Sequence, residues 1–460
     1  MVARRSDAYT SRGAPFSSTG SSPTRGYGSP TVSAAGSQTV VMKFGGTSVA
    51  DAERITRAAR RIVKSAEDGN SVVAVLSARG KHTDELISMA HEVSGRPHPR
   101  EMDMLLSTGE RVSCALAAMV INDLGREAIS LTGSQAGIVT DSGHTKARIL
   151  EVKAHRIREA LDSGKIVLVA GFQGVSQRSL DVTTLGRGGS DTTAVALAAA
   201  LGAEVCETYT DVAGVFSADP RIVPKARKLP VVTFEEMLEM SASGAGVLQL
   251  RSVEYARNHG VTIHCRSSFD DGPGTFVLDE DQTMERPLVT AVTHSTSEAR
   301  ITLTGLPDRP GIAAAVMGAL ASANVNVDMI IQNEPQTDGH LADMSFTVPR
   351  DDVEAARESL SELGEELGFG GIQADERMGK VSVVGAGMKS HPGVAYTTFR
   401  ALGDAGVNIE MISTSPIKIS CVVREEHVAT AVRELHTAFA LGADAVLPED
   451  VAGVHRPKVA

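Results

Sequence analysis

Over the first 280 residues, apolar positions fall into short unbroken runs separated by stretches of helical spacing. Thr39–Phe44, Ser71–Ser77, Lys165–Phe172 and Glu204–Thr210 each read as a buried strand. Between them, helical patterns run from about Val49 to Ser65, over Glu101–Leu124 with Gly109 inside it, and over Asp191–Leu201. Buried strands alternating with helices predict an α/β fold, a mostly parallel sheet with helices on both faces. Ligands in such sheets bind in loops beyond the carboxyl ends of the strands. This texture stops near Thr275–Leu288, where a charged linker is expected. Beyond it a repeat appears at a spacing of 82 residues. Val325–Ile330 (VNVDMI) returns as Val407–Ile412 (VNIEMI), Pro310-Gly311 as Pro392-Gly393, and Gly305 as Gly387. Each copy reads strand, Pro-Gly turn, helix, strand, so the C-terminal part holds two copies of one small α+β unit. A duplicated unit behind a larger body points to regulation or to dimerisation.

Composition narrows the functional classes. A chain of 460 residues accommodates two to four domains. With 3% aromatics, no Trp and a formal charge of −11, neither stacking platforms nor a basic face for nucleic acid is expected. Cys114, Cys206, Cys265 and Cys421 lie far apart with no CxxC pair. They are expected to be buried thiols, with no metal site, in a reducing cytoplasm. No run reaches the roughly 18 uninterrupted apolar residues of a membrane helix. Residues 1–38 are rich in Ser, Gly, Thr, Pro and Arg, with one acid, Asp7. A disordered extension is the expected reading and an organelle transit peptide the alternative.

Three loops carry candidate chemistry. In Lys43–Ser48 (KFGGTS), Gly45 and Gly46 let the backbone approach a phosphate, and the following helix offers its positive end. Lys43 can neutralise phosphoryl charge, and Thr47 or Ser48 can cap the helix or touch phosphate. Taken alone, the same residues describe a tight turn; the order GxxxxGK[ST] is absent. In Thr184–Asp191 (TLGRGGSD), Arg187 suits a bidentate grip on a carboxylate or phosphate. Asp191 is either a helix cap or an acceptor for a substrate amine. The third loop runs from Thr210-Asp211 to Asp219-Pro220-Arg221 and offers polar groups of both signs.

Together and in this order, KFGGTS, GRGGSD and TDVxGVxxADPR resemble the aspartokinases of the amino-acid kinase family, from about residue 39 to about 450. The resemblance implies a three-layer α/β/α kinase domain at 39–284, followed by two ferredoxin-like ACT domains at 299–375 and 380–450. It implies phosphorylation of L-aspartate by ATP with Mg²⁺, the first step toward lysine, threonine and methionine. On that resemblance Lys43, Arg187 and Asp191 are the catalytic set, and Ser77, Thr83 and Glu110 join Arg187 and Asp191 around aspartate. Gly45, Gly46, Thr210, Asp211, Phe216 and Arg221 join Lys43 around the nucleotide. Asp308–Ala313, including Gly311, together with Asn326, Asp328 and Gln332 would line one effector pocket for lysine, threonine or both; Asn408 and Ile409 would serve the facing copy. A homo-oligomer assembled through the ACT domains is implied, with a separate regulatory subunit from an internal start at Met284 as a further option.

The chain departs from the family pattern at three places. Gly246 stands where the family carries a lysine that contacts ATP, Ala213 replaces an acid, and Ala78–His82 (ARGKH) is more basic than usual. Losing one charged contact costs about 1.5–3 kcal/mol. The alternative expectation is therefore an impaired relative that serves as an amino-acid sensor or regulatory subunit, with Lys81 as a cation that could compensate. Pro335, in Glu334-Pro335-Gln336, removes a backbone donor from the effector loop and predicts weakened feedback inhibition.

Overall fold

The structure is a computed structural model that describes residues 38–279, 288–333, 341–391 and 393–442. The leader, Met284 and Pro335 lie outside the described residues. In chain order the N-terminal part contains β1 (Thr39–Phe44), α1 (Ala52–Glu67), β2 (Ser71–Leu76), α2 (His82–Val93), α3 (Pro99–Leu106), α4 (Thr108–Asp123), β3 (Ala128–Leu131), β4 (Ile138–Thr140), β5 (Ile149–Val152), α5 (His155–Asp162) and β6 (Ile166–Ala170). It continues with β7 (Gln173–Ser176), β8 (Val182–Thr184), α6 (Gly189–Leu201), β9 (Val205–Thr210), β10 (Val231–Thr233), α7 (Phe234–Ala242), α8 (Leu250–His259), β11 (Thr262–Ser267) and β12 (Thr275–Leu278).

Among the described residues the main sheet has eight strands in the order β10-β12-β11-β9-β1-β2-β6-β3, parallel except where β11 meets β12. The two-residue period of each strand sorts its side chains between two cores. Val41, Val73, Val75, Val167 and Val169 face α5, α6 and α8, whereas Met42, Phe44, Ala74, Leu76 and Leu168 face α1 and α4. That is the three-layer arrangement. A four-stranded sheet, β5-β4-β7-β8, stands beside it.

Two expectations are corrected here. The linker begins later than Thr275, because Thr275–Leu278 alternates inward and outward as β12 and completes the sheet between β10 and β11. The long helix over Glu101–Leu124 is two helices broken at Ser107. The Ser107 carbonyl accepts from Gln173 Nε2 at 2.8 Å, and its hydroxyl accepts from Arg111 at 3.1 Å. A side chain inserted into the helical ladder is enough to bend it. Pro99–Asp123 is long and apolar enough to cross a bilayer, but half of its most apolar stretch is buried inside the protein, as in the core helix of a soluble fold.

The C-terminal part comprises β13 (Ala291–Pro307), α9 (Ile312–Ser322), β14 (Ile330–Asn333), β15 (Leu341–Pro349), α10 (Val353–Leu367), β16 (Gly371–Val384), α11 (Gly393–Asp404), β17 (Met411–Ser415), β18 (Lys418–Arg424) and α12 (Val428–Ala438). Among the described residues its six strands form one antiparallel sheet, β14-β15-β13-β16-β18-β17. The two long strands run through both repeats. Ala291–Ser295 of β13 pairs with Lys380–Val384 of β16, and Glu298–Pro307 pairs with β15. Each copy thus borrows the end of a strand from the other. Ile301, Leu303, Phe346 and Leu360 fill one core, and Val292, Val383, Cys421 and Leu435 fill the second.

Candidate active site

β1 lies at the middle of the sheet, so the loop leaving it opens between β2 and β9. Lys43 shares the face of Val41 and points toward α6. Its Nζ lies 2.8 Å from Asp191 Oδ1 in the first turn of α6, and both side chains are about one-tenth exposed. A nearly buried ion pair where parallel strands end is costly to assemble unless something else uses the charges.

The glycine turn beside it is held from three sides. Gly45 N donates to Tyr209 O at 3.1 Å, so this N–H is not free for a phosphate. Ser48 N donates to Gly45 O at 2.9 Å, so the donors that open the short 3₁₀ segment Gly46–Val49 are the N–H groups of Gly46 and Thr47. Ser268 Oγ donates to Ser48 Oγ at 2.6 Å, tying that segment to the end of β11. Gly80 N donates to Gly46 O at 3.0 Å, and a Cβ on Gly46 would lie 2.8 Å from Ala78 O. Only glycine permits that approach.

The segment Ser77–Gly80 is also the wall of a second feature. Ala78 N donates to Glu110 Oε1 at 3.1 Å, while Glu110 Oε2 is buried with no partner among the described residues. Burial pushes the Glu110 carboxyl up to about 7, against the smaller opposing pull of the Ala78 N–H and Arg111. Ser77, half-buried, precedes Ala78 and donates its N–H to Phe44 O at 3.1 Å; Thr83 is half-buried in the first turn of α2. Lys43, Gly45, Gly46, Ser77, Glu110 and Asp191 are therefore linked by direct contacts or by one intervening residue.

The loop Thr184–Asp191 closes the opposite side. Gly188 has φ +72°, and a Cβ there would overlap the Gln249 side chain at 2.0 Å. Leu185 N donates to Phe172 O at 2.8 Å, and the Arg251 guanidinium donates to Leu185 O at 2.6 Å. Arg187 is exposed on this loop and makes no ion pair among the described residues. Sequence reasoning missed Asp103, whose fully buried carboxylate accepts from Thr184 Oγ1 at 2.5 Å and Thr145 N at 3.0 Å and meets His144 Nδ1 at 2.7 Å. On α3 it has the spacing of a solvated helix acid; the partners that bury it come from 41 to 81 residues away.

The third loop is more dispersed. Thr210 Oγ1 donates to Asp211 Oδ1 at 3.1 Å, Asp211 is exposed and Phe216 is half-buried. Arg221 donates Nε and Nη2 to Asp219, the shortest contact being 2.6 Å, and this grip holds the Asp219 carboxyl below its usual range. Its guanidinium is thus engaged within its own loop. Gly246 is exposed, with open space where a side chain would start. Ala213 is half-buried and Lys81 exposed.

The effector candidates stand apart, on the C-terminal sheet. Asp308, Gly311, Ala313, Asn326 and Gln332 are exposed around the ends of α9 and β14. Asp328 meets Lys380 Nζ at 2.5 Å, and Glu298 meets the same buried ammonium at 3.0 Å. In the second copy Asn408 Nδ2 donates to Glu410 Oε1 at 3.3 Å beside the half-buried Ile409.

Comparison with known proteins agrees with this geometry. Residues 38–267 match the amino acid kinase family, and residues 300–365 and 381–439 each match an ACT domain. The aspartokinase of Mycolicibacterium smegmatis is 58% identical over 407 residues, 88% of this chain and 97% of that protein. The aspartokinase of Corynebacterium glutamicum is 53% identical over the same shares. Among solved structures, E. coli aspartokinase III in complex with aspartate and ADP superposes with a TM-score of 0.75 at 27% identity, over 87% of this chain and 99% of that one. The same enzyme in complex with lysine and aspartate gives 0.66 at 26% identity over the same shares.

Proposed function

The chain belongs to the aspartokinase family, and we propose that it transfers the γ-phosphoryl group of ATP to the side-chain carboxylate of L-aspartate, giving 4-phospho-L-aspartate and ADP. The observation that carries this reading is the Lys43–Asp191 pair at 2.8 Å, set beside a glycine turn and one residue-shell from a buried carboxylate with an unpartnered oxygen.

The roles follow from those positions. A carboxylate nucleophile needs no base, so catalysis rests on alignment and on charge stabilisation. Lys43 Nζ neutralises charge on the transferring phosphoryl oxygens, and Asp191 holds that ammonium in place. The N–H groups opening the Gly46–Val49 segment face the phosphates, with Gly45 and Gly46 shaping the turn. Glu110 Oε2 accepts from the substrate ammonium, Ser77 and Thr83 flank it, and Arg187 closes on the α-carboxylate. Thr210, Asp211, Phe216 and Arg221 hold the nucleotide, with Arg221 released from Asp219 or retained beside it. No cluster of three or more metal-ligating side chains occurs among the described residues. Mg²⁺ would therefore enter with the ATP phosphates, whose charge it screens.

We assign residues 39–284 to catalysis and 299–375 and 380–450 to two regulatory ACT units that take lysine, threonine or both, by analogy with the E. coli enzyme solved with lysine. In this reading Asp328 would exchange Lys380 for an effector ammonium. Association of copies through these units, with a separate regulatory subunit as a further option, and a cytoplasmic location complete the proposal.

The test is ADP release from Mg²⁺ and ATP with L-aspartate, L-glutamate or no amino acid. Turnover that requires aspartate supports the proposal; turnover indifferent to the amino acid overturns it. The sensor reading is favoured by one feature, the open space at Gly246 where the family carries a cation. Gly246→Lys should fold normally and lower the KM for ATP about ten- to a hundredfold if that contact is missing. An unchanged KM means that another group already supplies the charge.

A further inference from the structure

Ser217 follows Phe216 in the loop assigned to the nucleotide, and every polar group it has is engaged. It is fully buried. Its N–H donates to Arg227 O at 2.8 Å and its carbonyl accepts from Val292 N at 2.8 Å. Its hydroxyl accepts from Arg227 N at 2.9 Å, donates to Leu441 O at 2.9 Å, and lies 3.0 Å from His436 Nε2. A hydroxyl has one proton, and a carbonyl oxygen such as Leu441 O can only accept. The Ser217 proton therefore goes to Leu441, and His436 Nε2 carries the proton of its own bond to Ser217. Burial holds the His436 imidazole below its ordinary value, which fits a neutral ring with its proton on Nε2.

The neighbours show what this bond governs. Val215 O accepts from Leu229 N at 2.8 Å, and Phe216 bridges to Lys228. Phe216 thus sits between two residues whose backbones are locked. Past Ser217, Ala218 and Val223 belong to the same apolar cluster as Val292, Val428, Val432 and Leu435. The far half of the loop is built into the core of the second repeat. The aspartate side is held by other contacts, from Ala78 to Glu110 and from Gly80 to Gly46.

We propose that His436 is a positioning residue for nucleotide binding: through Ser217 it seats the loop that presents Phe216, so affinity for the nucleotide depends on the placement of α12, while affinity for the amino acid does not. This rests on the assignment of Phe216 to the nucleotide.

The experiment uses the full chain with His436→Ala, His436→Gln and Ser217→Ala. The dissociation constant for MgADP is measured by calorimetry, alongside KM for ATP and for aspartate. His436→Ala should weaken MgADP and raise KM for ATP about three- to tenfold, the effect of one ordinary hydrogen bond. KM for aspartate should stay within about twofold. His436→Gln, which keeps a terminal N–H donor, should recover most of the loss, a result that mere loss of packing would not give. Ser217→Ala removes the bond from the other side and should reproduce the split if the histidine variant fails to fold. Unchanged MgADP affinity in a folded variant, equal losses for both substrates, or a glutamine no better than alanine would overturn the proposal. Because MgADP binding is read without any acceptor, a wild type that ignores aspartate, together with variants that still lose MgADP affinity, contradicts the assigned reaction and leaves this inference standing.

Discussion

Glu110 couples stability to function at the scale of one side chain. Its carboxyl titrates near 7 in the folded protein, against an ordinary value of 4.5. The folded state therefore holds this proton more tightly than the unfolded chain. The penalty of burying the charge appears as pH rises through 4.5 toward 7, and above 7 it amounts to about 3 kcal/mol. Glu110→Gln should melt higher than the wild type at pH 8, with the difference vanishing near pH 4.5; thermal melts at both values check this, and an equal difference at the two would contradict it. In the role proposed for Glu110 the ionised form meets the substrate ammonium, so kcat/KM for aspartate should fall as pH drops through 7. From sequence alone Glu110 was indistinguishable from a solvated helix acid, and only its resemblance to a family position singled it out. Asp103 had no such motif, and its role in joining Thr145 to Thr184 came from packing alone.

At the scale of elements, the strand, turn and helix around Lys43 were legible because local rules agree there. An unbroken apolar run gives a strand buried on both faces, and two glycines end it. Helix ends were less so: the break at Ser107 depends on Gln173, 66 residues away, which no local pattern reports. In the sequence β12 merges with a charged stretch and reads as linker, although the parallel β10 and antiparallel β11 give its four residues two partners. The third loop looked like one polar surface. In the structure its first residues stay at the carboxyl end of the central strand β9, Arg221 turns onto Asp219, and Ser217 is drawn into the second repeat.

For the whole molecule, the spacing of 82 residues revealed two copies but not how they share strands. Val289 and Val292 belong to the core of the second copy, although they precede the first in the chain. A fragment spanning 380–442 lacks that strand and should remain unfolded, whereas one spanning 288–442 should fold; circular dichroism and cooperative melting of the two fragments distinguish these outcomes. Cooperative melting of the shorter one would show that the shared strand is dispensable. The shared sheet also explains why the regulatory part is not a loose appendage. Glu239 of α7 meets Lys418 at 2.8 Å, and Thr290 donates to Glu236 at 2.6 Å, so the sheet bears on the kinase body at a second place besides Ser217.

The most direct measurement traps the reaction product as its hydroxamate, in wild type and in Lys43→Met, with Mg²⁺, ATP and L-aspartate. The account predicts aspartyl hydroxamate from the wild type, and at least a hundredfold less from a Lys43→Met protein that still binds MgADP. ADP formed without hydroxamate, or hydroxamate formed equally by both proteins, would contradict it.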